Sequence, residues 1–217
     1  MQDSGRSWDD YLRVELVENA LGPGLGEVHN LILDVGAGTS SFVQEEFPTE
    51  SHIVRVDLER KVRIQVACSV TNLPFRNETF DLVVALRVLQ HVPRETEALG
   101  EILRVTKPGG HILLAVANRN SWTLLRARLE NPKWRKRIPY AFYRLYLRDE
   151  LETKLRRTGL VGIRIRSAIF LPEAINRLPM TVTRALIKLG VAIDWVARRI
   201  PFIQNMGTNW VVFGVKS

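Results

Sequence analysis

Apolar residues cluster in short runs through the first 118 residues, and between the runs they fall at helical spacing. LILDV (31–35), HIVRVDLE (52–59), VRIQVACSV (62–70), TFDLVVALRVL (79–89) and HILLAVAN (111–118) read as strands. The third alternates apolar and polar; the others are apolar along most of their length, as strands covered on both faces of a parallel sheet are. Residues 6–21 place apolar side chains at 8, 11, 12, 14, 16, 17 and 21, an amphipathic helix broken by GPGLG at 22–26. A helix is predicted from Ser40 to Phe47, and another over 94–106 stopped by KPGG at 107–110. A basic helix over 145–158 ends at Gly159. VGIRIRSAIF (161–170) and NWVVFGVKS (209–217) supply two strands that can pair with each other. This alternation predicts an α/β fold, a doubly wound and mostly parallel sheet covered by helices. One domain over 1–217 is expected, with 119–144 and 171–208 as candidate cap or substrate insertions.

In such a sheet, ligands bind at the carboxyl ends of the strands, where the strand order reverses. The first such end here is Asp34 to Ser41. Gly36 and Gly38 can take positive φ and let a ligand approach the backbone. The dinucleotide fingerprint needs a third glycine, and Ser41 stands in its place. Asp34, two residues before the glycines, would repel a diphosphate and suit a ligand bearing positive charge. S-adenosylmethionine, with an ammonium and a sulfonium, is such a ligand. Asp57 ends the second strand and can accept hydrogen bonds from both hydroxyls of a ribose. NAD sites use an acid in the same way, so Asp57 alone does not discriminate. A tight turn with two solvated acids is the plainer alternative.

Four blocks in order, LILDVGAGTSSF, VRVDLE, NLPFRNETFDLVVALRVLQHVP and EILRVTKPGGHILLAVAN, resemble the class I S-adenosylmethionine-dependent methyltransferases. The chain is most similar to the group that contains the ubiquinone and menaquinone-biosynthesis methyltransferases. A weaker fifth block is LRDELETKLRRTGLVGIRI. The resemblance implies a Rossmann-like sheet of seven strands with an antiparallel last strand, and S-adenosyl-L-methionine as cofactor. It implies that Asp34, Gly36, Ala37, Gly38 and Thr39 hold the methionine end and ribose, that Asp57 binds the ribose hydroxyls, and that Leu58 lies against the adenine. Ser69 and Val70 stand where the family usually has Asp-Ala beside the adenine amine. Leu86 and Arg87 would flank the methionine moiety, where the family often has a small or polar residue. The N/D-P-P-Y/F motif of amino-group methyltransferases is absent, and ALRVLQHV stands there instead.

Methyl transfer needs alignment and exclusion of water more than acid–base chemistry. Where a base is required, His91 is the catalytic candidate, because it follows the fourth strand on the cofactor side; a role in capping the next helix is the alternative. His29, His52 and His111 fall at the opposite end of the sheet. No Cys/His cluster has metal-ligand spacing, so no metal is expected. Cys68, the single cysteine, reads as a small buried residue.

Charge changes the picture only when divided along the chain. Residues 1–118 carry a net −6, residues 119–166 a net +10 and residues 167–217 a net +4, within an overall +8. Of the 31 basic residues, 24 are Arg, whose planar fork suits phosphate and carboxylate. In 119–144, Trp122, Trp134, Tyr140, Phe142 and Tyr143 interleave with Arg126, Arg128, Lys133, Arg135, Lys136 and Arg137. Such a mixture can stack on bases, grip an anionic headgroup, or be a solvated face with its aromatics turned inward. Residues 180–200 read as a helix with a wide apolar face, a candidate lid, membrane-interface element or core helix. No apolar run is long enough to span a bilayer and no signal peptide is visible, so the expectation is cytoplasmic, with peripheral membrane contact left open. The expected acceptor is small or lipid-like and anionic. The alternatives are an RNA or protein methyltransferase docking through 119–166, and a non-catalytic scaffold that keeps the fold.

Overall fold

A computed structural model of the chain describes residues 30–38, 43, 47, 50–60, 62–130, 143–168, 196–197, 199–201 and 203–217. The helix expected over 6–21, Thr39 and nearly all of 180–200 lie outside the described residues. Seven strands form one sheet: β1 (Leu31–Val35), β2 (His52–Asp57), β3 (Val66–Ala67), β4 (Phe80–Leu86), β5 (Thr106–Ala117), β6 (Leu160–Ala168) and β7 (Asn209–Lys216). Their order is β3-β2-β1-β4-β5-β7-β6. The first five run parallel; β7 lies antiparallel between β5 and β6. The described helices are α1 (Glu95–Val105), α2 (Trp122–Glu130) and α3 (Arg148–Arg157).

The apolar runs form the middle of this sheet because both of its faces are covered. Ile32 and Leu33 of β1, Leu82, Val83 and Val84 of β4, and Leu113 and Leu114 of β5 are fully buried. On α1, Ala98, Leu99, Ile102 and Val105 turn inward, and Glu95 and Glu97 occupy the first turn, where the helix dipole favours acids. Each large apolar side chain in this layer contributes about 2–5 kcal/mol, judged by the cost of truncation to alanine.

Two strands have bounds other than those read from the sequence. Within 62–70, a strand or its approach in the sequence, β3 is two residues long, because only Val66 and Ala67 pair with Val56 and Asp57 before the chain turns at Ser69–Asn72. β5 begins earlier than expected and takes in the KPGG stretch. Phe80 already pairs with Thr106, and Gly109 at φ +73° carries the irregularity that follows. Within the span 40–47, Phe47 N–H donates to Val43 O at 3.3 Å, a helical-type bond.

Strand order reverses between β1 and β4, since β2 and β3 extend to one side and β5 to the other. That reversal opens a crevice at the carboxyl ends of β1 and β4.

Candidate cofactor site

The crevice is built from the turn after β1. Gly36 bends the chain at φ +65°, and a Cβ placed there would lie 2.4 Å from Val88 Cγ2, just past β4. Ala37 N–H donates to Val56 O at 3.1 Å, which ties the turn to β2. Gly38, at φ +56°, donates its N–H to Asp57 Oδ2 at 2.9 Å. Among the described residues, a Cβ on Gly38 would meet nothing within 4 Å. The other oxygen of Asp57, Oδ1, accepts from Glu59 N–H at 3.1 Å. An ionised carboxylate offers about four lone-pair sites, so Asp57 retains capacity for two hydroxyls. The structure thus brings Asp34, Gly36, Ala37, Gly38 and Asp57 together.

Asp34 does not stand alone. It lies directly across from Arg55 in the β1–β2 register, and both side chains are buried. Arg55 Nε is 3.5 Å from Asp34 Oδ2, and Nη2 donates to Ala37 O at 3.4 Å. The negative charge that the sequence assigns to this corner is therefore shared with a guanidinium beneath the loop. Sequence reasoning missed Arg55; the available signal was an arginine inside the otherwise apolar HIVRVDLE.

Of the remaining expected contacts, Leu58 is 76% exposed beside Asp57. Ser69 Oγ lies 2.8 Å from Thr71 Oγ1 and accepts from Thr71 N–H at 3.2 Å, so it serves its own turn, while Val70 belongs to the core. Cys68 is half-buried; burial first and the charge of Asp57 second push its thiol above the ordinary value, which suits an unreactive residue. Leu86 is buried, whereas Arg87 takes φ +62°, with its N–H donating to Ala115 O at 2.8 Å. Positive φ in a non-glycine residue stores of order 1–3 kcal/mol and recurs at functional sites.

After β4, a single 3-10 turn over Leu89–His91 carries Gln90 and His91. Gln90 Oε1 accepts from Ala117 N–H at 2.8 Å, and Gln90 Nε2 is 3.4 Å from both Tyr143 Oη and His91 Nε2. The His91 and Tyr143 rings lie 5.3 Å apart, tilted by 58°. Gln90 O accepts from Arg144 N–H at 2.8 Å, so residues 143–146 are held beside the ends of β4 and β5. Glu95 anchors the same segment. Its buried Oε2 binds Arg144 Nη1 and, at 2.9 Å, Lys154 Nζ. Burial first and the charge of Glu95 second push the Tyr146 phenol far above its ordinary value. Gln90, Glu95 and Arg144 were not legible as site-forming residues, because their partners are distant in sequence. Among the described residues, no group of three or more His, Cys, Asp or Glu is arranged to hold a metal. No described helix is long and apolar enough to cross a membrane.

The family model for the methyltransferase domain matches residues 33–114, which run from β1 through most of β5. In fold, the chain is similar to solved structures that include methyltransferases and the [4+2]-cyclase SpnF, which superposes with a TM-score of 0.56 at 17% identity over 99% of this chain and 84% of that one. A possible histamine N-methyltransferase from Thermotoga maritima superposes with a TM-score of 0.64 at 20% identity, over 95% of this chain and 90% of that one. The two share a fold, a seven-stranded and mostly parallel sheet. In sequence, an uncharacterised methyltransferase of Mycobacterium leprae is 33% identical over 104 residues, covering 42% of this chain and 39% of its own length. The demethylmenaquinone methyltransferase of Streptomyces griseus is 32% identical over 105 residues, covering 44% of this chain and 46% of its own. The chain thus spans less than half the length of these relatives. Within the matched residues, the corner at Gly38 and the remaining acceptor capacity of Asp57 are of the kind that the ribose of S-adenosylmethionine needs.

Proposed function

We propose that the protein is an S-adenosylmethionine-dependent methyltransferase acting on a small or lipid-like, anionic acceptor. One observation carries the reading: the hydrogen bond from Gly38 N–H to Asp57 Oδ2 closes the glycine corner and a hydroxyl-binding acid into one crevice, inside the matched methyltransferase domain. In this reading Asp34, Gly36, Ala37, Gly38 and Thr39 hold the methionine end and ribose, and Asp57 holds the ribose hydroxyls. Leu58, Ser69 and Val70 border the adenine, with Ser69 offering one hydrogen bond where an acid would offer more. Leu86 and Arg87 border the methionine. When bound, the cofactor supplies a methyl group activated by a positive sulfur; the chain's part is to align the acceptor and exclude water.

The anionic acceptor is supported by Arg87 and Arg119 at the ends of β4 and β5. The Streptomyces relative, by its name, acts on a menaquinone precursor, which supports a lipid-like acceptor. The RNA-docking alternative draws on the basic 119–166 segment. There, however, Arg144 and Lys154 bind Glu95, and Arg156 binds Glu152 at 2.7 Å, so part of that charge is neutralised internally. With methyl-tritiated cofactor, label is expected in an anionic phenol or quinol acceptor. Label in RNA, with steeply salt-dependent binding, would reverse the acceptor assignment. Cofactor binding without label in any acceptor would favour the scaffold.

A further inference from the structure

Two hydroxyls stand just past the carboxyl end of β3. Ala67 pairs with Asp57 in the β2–β3 ladder, and Cys68 N–H donates to Asp57 O at 2.9 Å, so Ser69 follows beside the end of β2. The strand order runs outward from β1 to β2 to β3. A ligand with one end at the glycine corner of β1 and its ribose hydroxyls on Asp57 therefore has its base on the β3 side. Ser69 and Thr71 are both half-buried there.

The hydrogen bonds of this pair leave its polarity open. Ser69 Oγ accepts from Thr71 N–H at 3.2 Å and lies 2.8 Å from Thr71 Oγ1, where either oxygen can donate. Among the described residues, neither hydroxyl has another partner. A hydroxyl has one proton and two lone pairs. If Ser69 donates to Thr71, it keeps one lone pair and meets a ligand as an acceptor. If Thr71 donates, both lone pairs of Ser69 are filled and its proton is left to donate. Rotating the two hydroxyls exchanges these states. A carboxylate in the same place could only accept.

We propose that the Ser69–Thr71 hydroxyl pair is a specificity determinant that reads the 6-position of the cofactor's purine as either amine or carbonyl, so that the site takes a 6-oxopurine ligand as readily as an adenine one. The 6-amine donates to Ser69 in the first state, and a 6-carbonyl accepts from Ser69 in the second. This deepens the cofactor reading given above and rests on it.

Calorimetric titration with S-adenosylhomocysteine and with its deaminated counterpart, S-inosylhomocysteine, tests the proposal. Wild type is expected to bind the two within about fivefold of each other, less than the worth of one net hydrogen bond to a charged group. Ser69→Asp still accepts from Thr71 N–H but cannot donate, and it is expected to favour the amine form by about tenfold or more. Ser69→Ala is the second variant should the carboxylate disturb the turn, and it is expected to weaken both ligands by about fivefold. A wider gap in wild type, a Ser69→Asp ratio equal to that of wild type, or Ser69→Ala with either affinity unchanged overturns the proposal. Failure of both ligands to bind wild type removes the cofactor reading itself, whereas binding of both with the wrong ratio removes only the inference about the base.

Discussion

An arginine inside a parallel strand needs a counter-charge within reach, and Arg55 has one in Asp34, its neighbour across the β1–β2 ladder. Removing one partner of a buried pair leaves the other charged and unsolvated, at a cost of about 3–5 kcal/mol, whereas removing both costs less. Asp34→Ala and Arg55→Met are therefore each expected to destabilise strongly in urea denaturation, and the double variant to fall well short of their sum. Strict additivity would mean that the two side chains are not coupled. At Gly36 two penalties combine, since any Cβ meets Val88 and φ is positive. Gly36→Ala is expected to lose about 1–3 kcal/mol. Adding Val88→Ala should relieve the clash but not the backbone strain; full recovery in a melt would show that φ contributes nothing. Asp34, Gly36 and Gly38 were legible as a corner because a strand end followed by glycines is a local pattern, and Asp57 because it is an acid at the end of the next strand. Arg55 and Gln90 were not, because what defines them is a partner brought close only by the sheet, as Ala117 is to Gln90 from 27 residues away.

Elements show the same division between local and distant causes. The strands at the centre of the sheet were readable from continuous apolar runs, and α1 from its spacing and its KPGG stop. The stretch 62–70 reads as a third strand or its approach, and both are present, since its alternation persists past the two residues that find partners on β2. The loop before β4 is held by α1 at a distance: Arg104 donates to Leu73 O and Phe75 O, and Glu101 accepts from Leu73 N–H at 2.7 Å. The hydrogen bond from Arg104, helped by that from Leu73, holds the Glu101 carboxyl below its ordinary value against the opposing effect of burial. A depressed carboxylate adds stability above its unfolded pKa of about 4.3, and that stability is lost as pH falls through the lower folded value. Glu101→Gln is thus expected to be less stable than wild type at neutral pH, with the gap closing below about pH 4. A gap that persists in acid would place the effect outside ionisation. Glu95 joins α1, α3 and residue 144 through one buried oxygen. Glu95→Gln is expected to lower stability and loosen residues 143–147 together, read as faster amide exchange there; exchange unchanged at Tyr146 would count against that role.

At the scale of the molecule, the order of the sheet decides where chemistry can happen. The reversal between β1 and β4 sets the glycine corner, Asp57 and the turn after β4 around one opening. The charge asymmetry of the chain, prominent in the sequence, is bridged in the fold at Glu95, an acid of the front half that pairs with Arg144 and Lys154 of the basic half. The stretches 119–144 and 171–208 were opaque to sequence reading because neither apolar nor aromatic spacing says what they pack against. Methyl transfer here requires the crevice to accept a cationic, ribose-bearing cofactor, and calorimetric titration with S-adenosylmethionine tests that directly. Saturable binding is expected in wild type, weakened at least about tenfold by Asp57→Ala, which corresponds to about 1.4 kcal/mol. No binding at millimolar cofactor, or an affinity untouched by Asp57→Ala, would contradict it.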